Sequence, residues 1–271
     1  MKKIILLTAL ATMLLAFTSC QKEGVYNPSK KISKIYYQSG SGAKYLVERW
    51  TWDGNKLSKI TDANGKLSES FSYDGSRVSK VTGSDGEIYT FYYDGSKITK
   101  VECKYQGKVL AQLDFSHKSS KISKLDIHYY NNSSKSISQL STFNHLFSDL
   151  AQDLMTSEKS RANYDTYITY EFTYSGSNMT KMTYHAQEGN STMEYERTYK
   201  YDKKKNPYYN FFSSSFVFMC LSENNPTQYE HIAGANVYTY EYSYTYDGSY
   251  PTESMRLSSD GSTATTFYEY E

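Results

Sequence analysis

Residues 73–81 read YDGSRVSKV and residues 93–101 read YDGSKITKV. The same unit stands at 52–60 as WDGNKLSKI, and in looser form at 115–125 (FSHKSSKISKL) and 174–182 (YSGSNMTKM). YNPSKKISKI (26–35) opens the series, and YDKKKNPYY (201–209) and YDGSYPTES (246–254) are degenerate late copies. The clear copies begin at 52, 73, 93 and 115, a spacing of 20 to 22 residues. A repeat of that period governs the fold. Asp-Gly makes a tight turn, because glycine takes positive φ without cost and Asp bonds nearby backbone. A short strand follows, then a second turn: DANG (62–65), GSDG (83–86), YQG (105–107), QEGN (187–190) or SSDG (258–261). The return strand alternates aromatics, as in Tyr89, Phe91 and Tyr93. Two turns per unit predict consecutive antiparallel hairpins. Between Ile98 and Val101 strict alternation breaks, which predicts a bulge after each turn. The chain holds about fourteen to sixteen such strands, and a barrel that wide leaves an interior that wall side chains alone do not fill. The expected fold is all-β, an antiparallel meander of consecutive hairpins closed or nearly closed into a wide β-barrel.

Two stretches depart from the repeat. In 141–159, Phe143, Leu146, Phe147, Leu150 and Leu154 fall on one face of a helix, with Ser141 or Thr142 as its cap. Residues 206–226, NPYYNFFSSSFVFMCLSENNP, form an apolar loop bounded by prolines. Both are expected to pack inside or across one opening of the barrel as a plug.

The chain begins MKKIILLTALATMLLAFTSC. Lys2 and Lys3 precede an apolar run, Ile4 to Phe17, that is too short to span a membrane. Phe17-Thr18-Ser19-Cys20 resembles a bacterial lipobox, which implies cleavage before Cys20 and lipidation of that cysteine. Two or more acyl chains anchor a protein stably. The implied organisation is a removed signal peptide (1–19), a lipidated tether (20–25) and one barrel domain (26–271). The partner implied by the anchor is the outer membrane. QKEG (21–24) resembles the surface-export signals of some gut-bacterial lipoproteins, which favours the cell surface over the periplasmic face.

Loss of residues 1–19 removes two lysines and no acid, so the formal charge moves from +1 to −1. A near-neutral chain without basic blocks argues against nucleic-acid binding. Cys103 and Cys220 remain. In an oxidising compartment they can pair, or they can be two small buried hydrophobes.

The Tyr-Asp-Gly-x-(Lys/Arg)-(Ile/Val)-(Ser/Thr)-Lys-Val units resemble YD (RHS-type) repeats. Together with the lipobox and Asn206-Pro207-Tyr208, they resemble a family of gut-bacterial lipoproteins, a domain of unknown function with a porin-like β-barrel fold. The resemblance covers most of 26–271. It implies a fold and brings no functional residues with it.

VYTYEYSYTYDG (237–248) puts Tyr238, Tyr240, Tyr242, Tyr244 and Tyr246 on one side of a strand and Val237, Thr239, Glu241, Ser243 and Thr245 on the other. Three readings stand open. The tyrosines line a wet barrel interior, they form a platform on which sugar rings stack, or they face lipid. Lipid-facing bands favour aliphatic residues, with aromatics only at the interfaces, which counts against the last.

No catalytic signature occurs. His117, His128, His145, His185 and His231 lack metal-binding spacing, and His185 with Glu188 is no zincin motif. Glu194 and Glu196 share one strand face, as do Glu269 and Glu271, whereas a glycosidase needs carboxylates across a cleft. The recurring Lys59, Lys80, Lys100, Lys124 and Lys181 read as solvated lysines that block edge pairing. The expected function is a non-catalytic, lipid-anchored envelope or surface protein, without cofactor or metal, with a binding or assembly role whose ligand the sequence does not name; a glycan and an envelope protein are the candidate partners. Carbohydrate recognition by exposed tyrosines is the alternative; a glycoside hydrolase or a transmembrane porin ranks below it.

Overall fold

A computed structural model of the chain describes residues 22–130, 166–188, 191–211 and 219–271. They form sixteen strands: β1 (Ile32–Ser39), β2 (Tyr45–Asp53), β3 (Lys56–Asp62), β4 (Leu67–Asp74), β5 (Arg77–Gly83), β6 (Glu87–Asp94), β7 (Lys97–Tyr105) and β8 (Lys108–Lys118), then β9 (Lys121–Tyr129), β10 (Thr166–Ser175), β11 (Asn178–Glu188), β12 (Ser191–Lys205), β13 (Asn224–Ala233), β14 (Asn236–Asp247), β15 (Tyr250–Ser258) and β16 (Thr263–Tyr270). Each strand pairs with its chain neighbours, and β1 pairs antiparallel with β16 over Ile32 to Ser39. The barrel is closed. It has no free edge, so the recurring lysines have no edge to block; they stand instead on the wall, where Lys124 meets Asp126 at 2.9 Å and Lys181 meets Glu196. The helix expected at 141–159 lies outside the described residues. Among those described, the helical structure is a single 3-10 turn, Met219–Leu221.

The repeat unit builds one end of the barrel. Gly75 and Gly95 turn with φ of +57° and +54°, and in the glycine-free copy Ser119 takes +60°. After each turn the register slips by one residue. Tyr92 faces Lys100 but Tyr93 faces Ile98, which makes Thr99 the bulged residue. The same slip occurs at Ser58, Ser79, Ser123, Thr180 and Thr252. These positions are Ser or Thr for a reason that periodicity does not show. The hydroxyl of Ser58 donates to the Thr51 carbonyl at 2.9 Å, and Thr99, Ser123, Thr180 and Thr252 bond to the facing strand in the same way. The side chain replaces a ladder bond that the bulge removes.

A second bond links one unit to the next. Tyr73 donates to the Leu57 carbonyl and Tyr93 to the Val78 carbonyl, both at 2.8 Å. Trp52 reaches the Ile32 carbonyl and Tyr270 the Pro251 carbonyl, both at 2.7 Å. The basic residue after each turn then covers the neighbouring ring: Lys56 over Tyr73 at 5.3 Å, Arg77 over Tyr93 at 5.0 Å and Lys121 over Tyr174 at 4.9 Å. Each unit thus supplies an acceptor and a cation to the aromatic of its successor, and the hairpins are joined by side chains as well as by the ladder.

This end is sealed. The described residues of the β12–β13 connection, 206–211 and 219–223, fold across it, with Tyr208, Phe211, Cys220 and Leu221 buried. Phe211 packs at 5.0 Å from Trp50 and 4.6 Å from Tyr26 (ring centroids). Residues 22–31 cross the same end. The Tyr26 hydroxyl donates to the Pro207 carbonyl at 2.6 Å, and the Asn210 amide to the Lys22 and Val25 carbonyls at 3.0 and 2.8 Å. The seal satisfies backbone groups that the bulges leave unpaired. Val78 N–H donates to the Gly24 carbonyl, Ile98 N–H to the Glu23 carboxylate and Met179 N–H to the Ser222 hydroxyl, at 3.1, 2.7 and 3.1 Å. The equivalent residue of the late unit is Pro251, which has no N–H to satisfy. Of the loop expected at 206–226, the described residues close this end, and strand β13 begins at Asn224. The flanks of 141–159, Tyr129 and Thr166, stand at the other end, so the two insertions do not leave the wall at a common opening.

Candidate functional site: the tyrosine-lined inner wall

Alternation along the strands sends one set of side chains inward, and the interior has two halves. From β5 to β11 the inward residues are fully enclosed: Val81, Tyr89, Val101, Leu113, Leu125, Tyr170 and Tyr184. From β12 to β16 many are half-buried instead, including Tyr199, Tyr229, His231, Tyr240, Tyr242 and Arg256, although Tyr195 and Arg197 are buried. This second sector is a layer of tyrosine rings. Tyr184 stacks on Tyr195 at 4.4 Å, Tyr195 meets His231 at 4.6 Å, and Tyr229 stacks on Tyr240 at 4.4 Å and touches Tyr242 at 6.1 Å.

The five tyrosines of β14 divide along the strand. Tyr246 and Tyr244 lie toward the sealed end, and their hydroxyls are used there. Tyr246 donates to Asp202, and Tyr244 donates to the Pro226 carbonyl at 2.6 Å. Burial, with Tyr268 and Tyr242 adding to it, drives the Tyr244 hydroxyl far above its ordinary pKa. Tyr242 is mid-wall. Tyr240 and Tyr238 lie toward the opposite end, and neither hydroxyl has a hydrogen-bond partner among the described residues. Tyr238, at the rim, is 46% exposed.

Two cations share this wall. Arg197 is buried, lies 5.3 Å from the Tyr195 ring, and donates from Nε to His231 Nδ1 at 3.1 Å. Burial and then the Arg197 charge lower the His231 pKa, so the imidazole is neutral and Nδ1 accepts. Arg256 lies 5.7 Å over the Tyr240 ring and makes no ion pair among the described residues. Register explains their meeting. Arg197 faces His231, His231 faces Tyr238, and Tyr242 faces Arg256. In the sequence Arg197 only interrupts an aromatic series; parity of the strand makes it an inward group.

Glu69 and Glu87 are fully buried on the inner wall, close enough to the Tyr89 hydroxyl that, after burial and Cys103, their charges add to the rise of the Tyr89 pKa. The histidines, the other carboxylates and Cys220 are dispersed. His117 is buried in the seal, its Nε2 3.0 Å from the Glu23 carboxylate. His185 pairs at 3.4 Å with Glu194 at the surface, and His128 packs edge-on against Tyr167. His145 lies outside the described residues. Glu196 pairs with Lys181 and Glu269 with Lys34, both on the outer wall, and Glu271 is exposed. Cys103 and Cys220 are both free and both buried. Cys103 is on the inner wall and Cys220 in the seal, so no disulfide joins them. Among the described residues no group of His, Cys, Asp and Glu could hold a metal ion. Cys20 lies outside them.

No family model matches the chain, and no curated protein matches it in sequence. A solved structure does. The barrel is similar in fold to a porin-like protein from Bacteroides vulgatus. The two are 13% identical, with a TM-score of 0.58 over 90% of this chain and 99% of that one. At that identity the likeness is one of fold alone. A weaker match, to TcdB2-TccC3 without its hypervariable C-terminal region, has a TM-score of 0.28 over 84% of this chain and 15% of that one and carries no argument.

Proposed function

We propose that the protein is a non-catalytic, lipid-anchored protein of the outer membrane, displayed at the cell surface, that binds a ligand at the tyrosine-lined open end of its barrel. The observation that carries this reading is the position of the N-terminus. Lys22 is held in the seal by Asn210, two residues after Cys20. Two residues reach at most about 7 Å. Acyl chains on Cys20 therefore put the sealed end against the bilayer and point the open end, with Tyr238 and Tyr240, away from it. A carbohydrate ligand fits this wall, because tyrosine faces stack on sugar rings and hydroxyls meet sugar hydroxyls.

The outer wall counts against a transmembrane porin. Lys34 with Glu269, Lys124 with Asp126 and Lys181 with Glu196 stand on it, and one lysine in the bilayer midplane costs about 2–4 kcal/mol.

Two measurements test the proposal. Labelled fatty acid fed to expressing cells should enter the protein and be lost in Cys20→Ala. A glycan array probed with residues 22–271 should show specific binding that Tyr238→Ala weakens. Unlabelled wild-type protein overturns the anchor; a blank array from folded protein overturns sugar recognition and favours a protein partner.

A further inference from the structure

We infer that the ligand of the open end is an acidic saccharide, one whose carboxylate or sulfate is received by Arg256 while its rings lie on Tyr240 and Tyr238. The inference rests on the binding reading above and adds the charge of the ligand. Three observations lead to it. The inward face of β13 to β15 carries one guanidinium, Arg256, and no acid: Glu230, Glu241 and Glu253 all alternate to the outside. Arg256 makes no ion pair among the described residues, and Asp260, whose carboxylate feels its charge, is at the exposed turn after β15. The guanidinium lies over the Tyr240 ring, so the cation and the stacking surface are contiguous.

The chemistry of the pair is specific. A guanidinium is always charged and offers a planar fork that matches a carboxylate or sulfate. A cation left without an acid partner on a half-buried wall gains more from an incoming anion than a surface lysine would, because water screens it less. Tyrosine in place of phenylalanine supplies hydrogen bonds at the ring edge, as a polyhydroxylated ligand requires. A neutral sugar would use the rings and leave the cation unmatched.

The test is an array that carries each oligosaccharide in paired forms, uronate with its methyl ester and sulfated with desulfated, probed with residues 22–271. The expected result is binding of the acidic forms, falling with salt, and about tenfold or more weaker for the neutral partners. Arg256→Gln should lose that preference, while Arg256→Lys should keep part of it. Unchanged circular dichroism and melting temperature show that each variant has folded. Tyr238→Ala at the exposed rim is the second variant and should weaken acidic and neutral forms alike. Equal binding of both forms overturns the inference and leaves sugar recognition standing. Binding of neither form overturns both.

Discussion

The Tyr73 hydroxyl donates to the Leu57 carbonyl at 2.8 Å, which ties the aromatic at the end of one hairpin to the residue just after the turn of the hairpin before it. The residues are sixteen apart in the chain and adjacent in the wall. Burial raises the Tyr73 pKa to about 12 although the Leu57 bond pulls the other way, so the hydroxyl stays a donor throughout the working pH range. Tyr73→Phe should cost about 0.5–1.5 kcal/mol, the net worth of a typical hydrogen bond. Urea unfolding of this variant, compared with Tyr45→Phe at a rim position 55% exposed, checks it. Equal midpoints would mean that the link between hairpins contributes nothing.

Gly24 and Gly54 both have positive φ, +75° and +55°. A Cβ at Gly54 meets open space, whereas at Gly24 it would lie 2.1 Å from the Tyr93 hydroxyl. Gly54→Ala should therefore cost only the backbone term, about 1–2 kcal/mol. Gly24→Ala should cost more, because Tyr93 must give up the Val78 carbonyl or residues 22–25 must lift from the seal. Melting temperatures and limited proteolysis of the N-terminus separate the two cases; equal losses with an intact N-terminus would contradict the packing described.

Asp126 gives a signed pH dependence. Burial alone raises its pKa, but hydrogen bonds from Tyr167 (2.6 Å), Lys124 and Thr169 (2.7 Å) outweigh that, and the net shift is downward from 3.8. A carboxylate depressed in the folded state binds fewer protons there than in the unfolded chain. Its stabilisation is present above the unfolded value and is lost as the pH falls through the folded one. Asp126→Asn should flatten the acid limb of a stability–pH profile and leave its neutral shape unchanged. An unaltered acid limb would remove this group from the account.

Both thiols should be silent in the native protein. Burial pushes the Cys103 thiol up to about 12 and the Cys220 thiol higher still. The thiolate is the reactive form, so a disulfide reagent should find no cysteine in the folded domain of residues 22–271 and two after denaturation. Rapid native reaction would show that the seal opens.

The barrel was legible in the chain because its evidence is local. Asp-Gly at a 20 to 22 residue period sets the turns, alternation sets the faces, and the gap between Ile98 and Val101 sets the bulge. Closure was not legible. It depends on Ile32 to Ser39 meeting Ala264 to Tyr270, a pairing across the whole length of the chain. The sequence also hid why Ser or Thr fills the bulge and why Lys or Arg follows the turn, since both act on a neighbouring strand.

By itself, then, the amino-acid order determined the hairpins, the gathering of the tyrosines on one face and the residues that can terminate each strand, all of which follow from backbone sterics and a period of two. Tertiary structure alone decided what those tyrosines do. Tyr244 and Tyr246 use their hydroxyls on Pro226 and Asp202, while Tyr238 and Tyr240, in the same strand and of the same parity, lie toward the opposite end. The physical reason is that alternation fixes only the side of the sheet a residue faces. Its depth in the barrel, and the groups that meet it there, come from strands and loops far away in sequence.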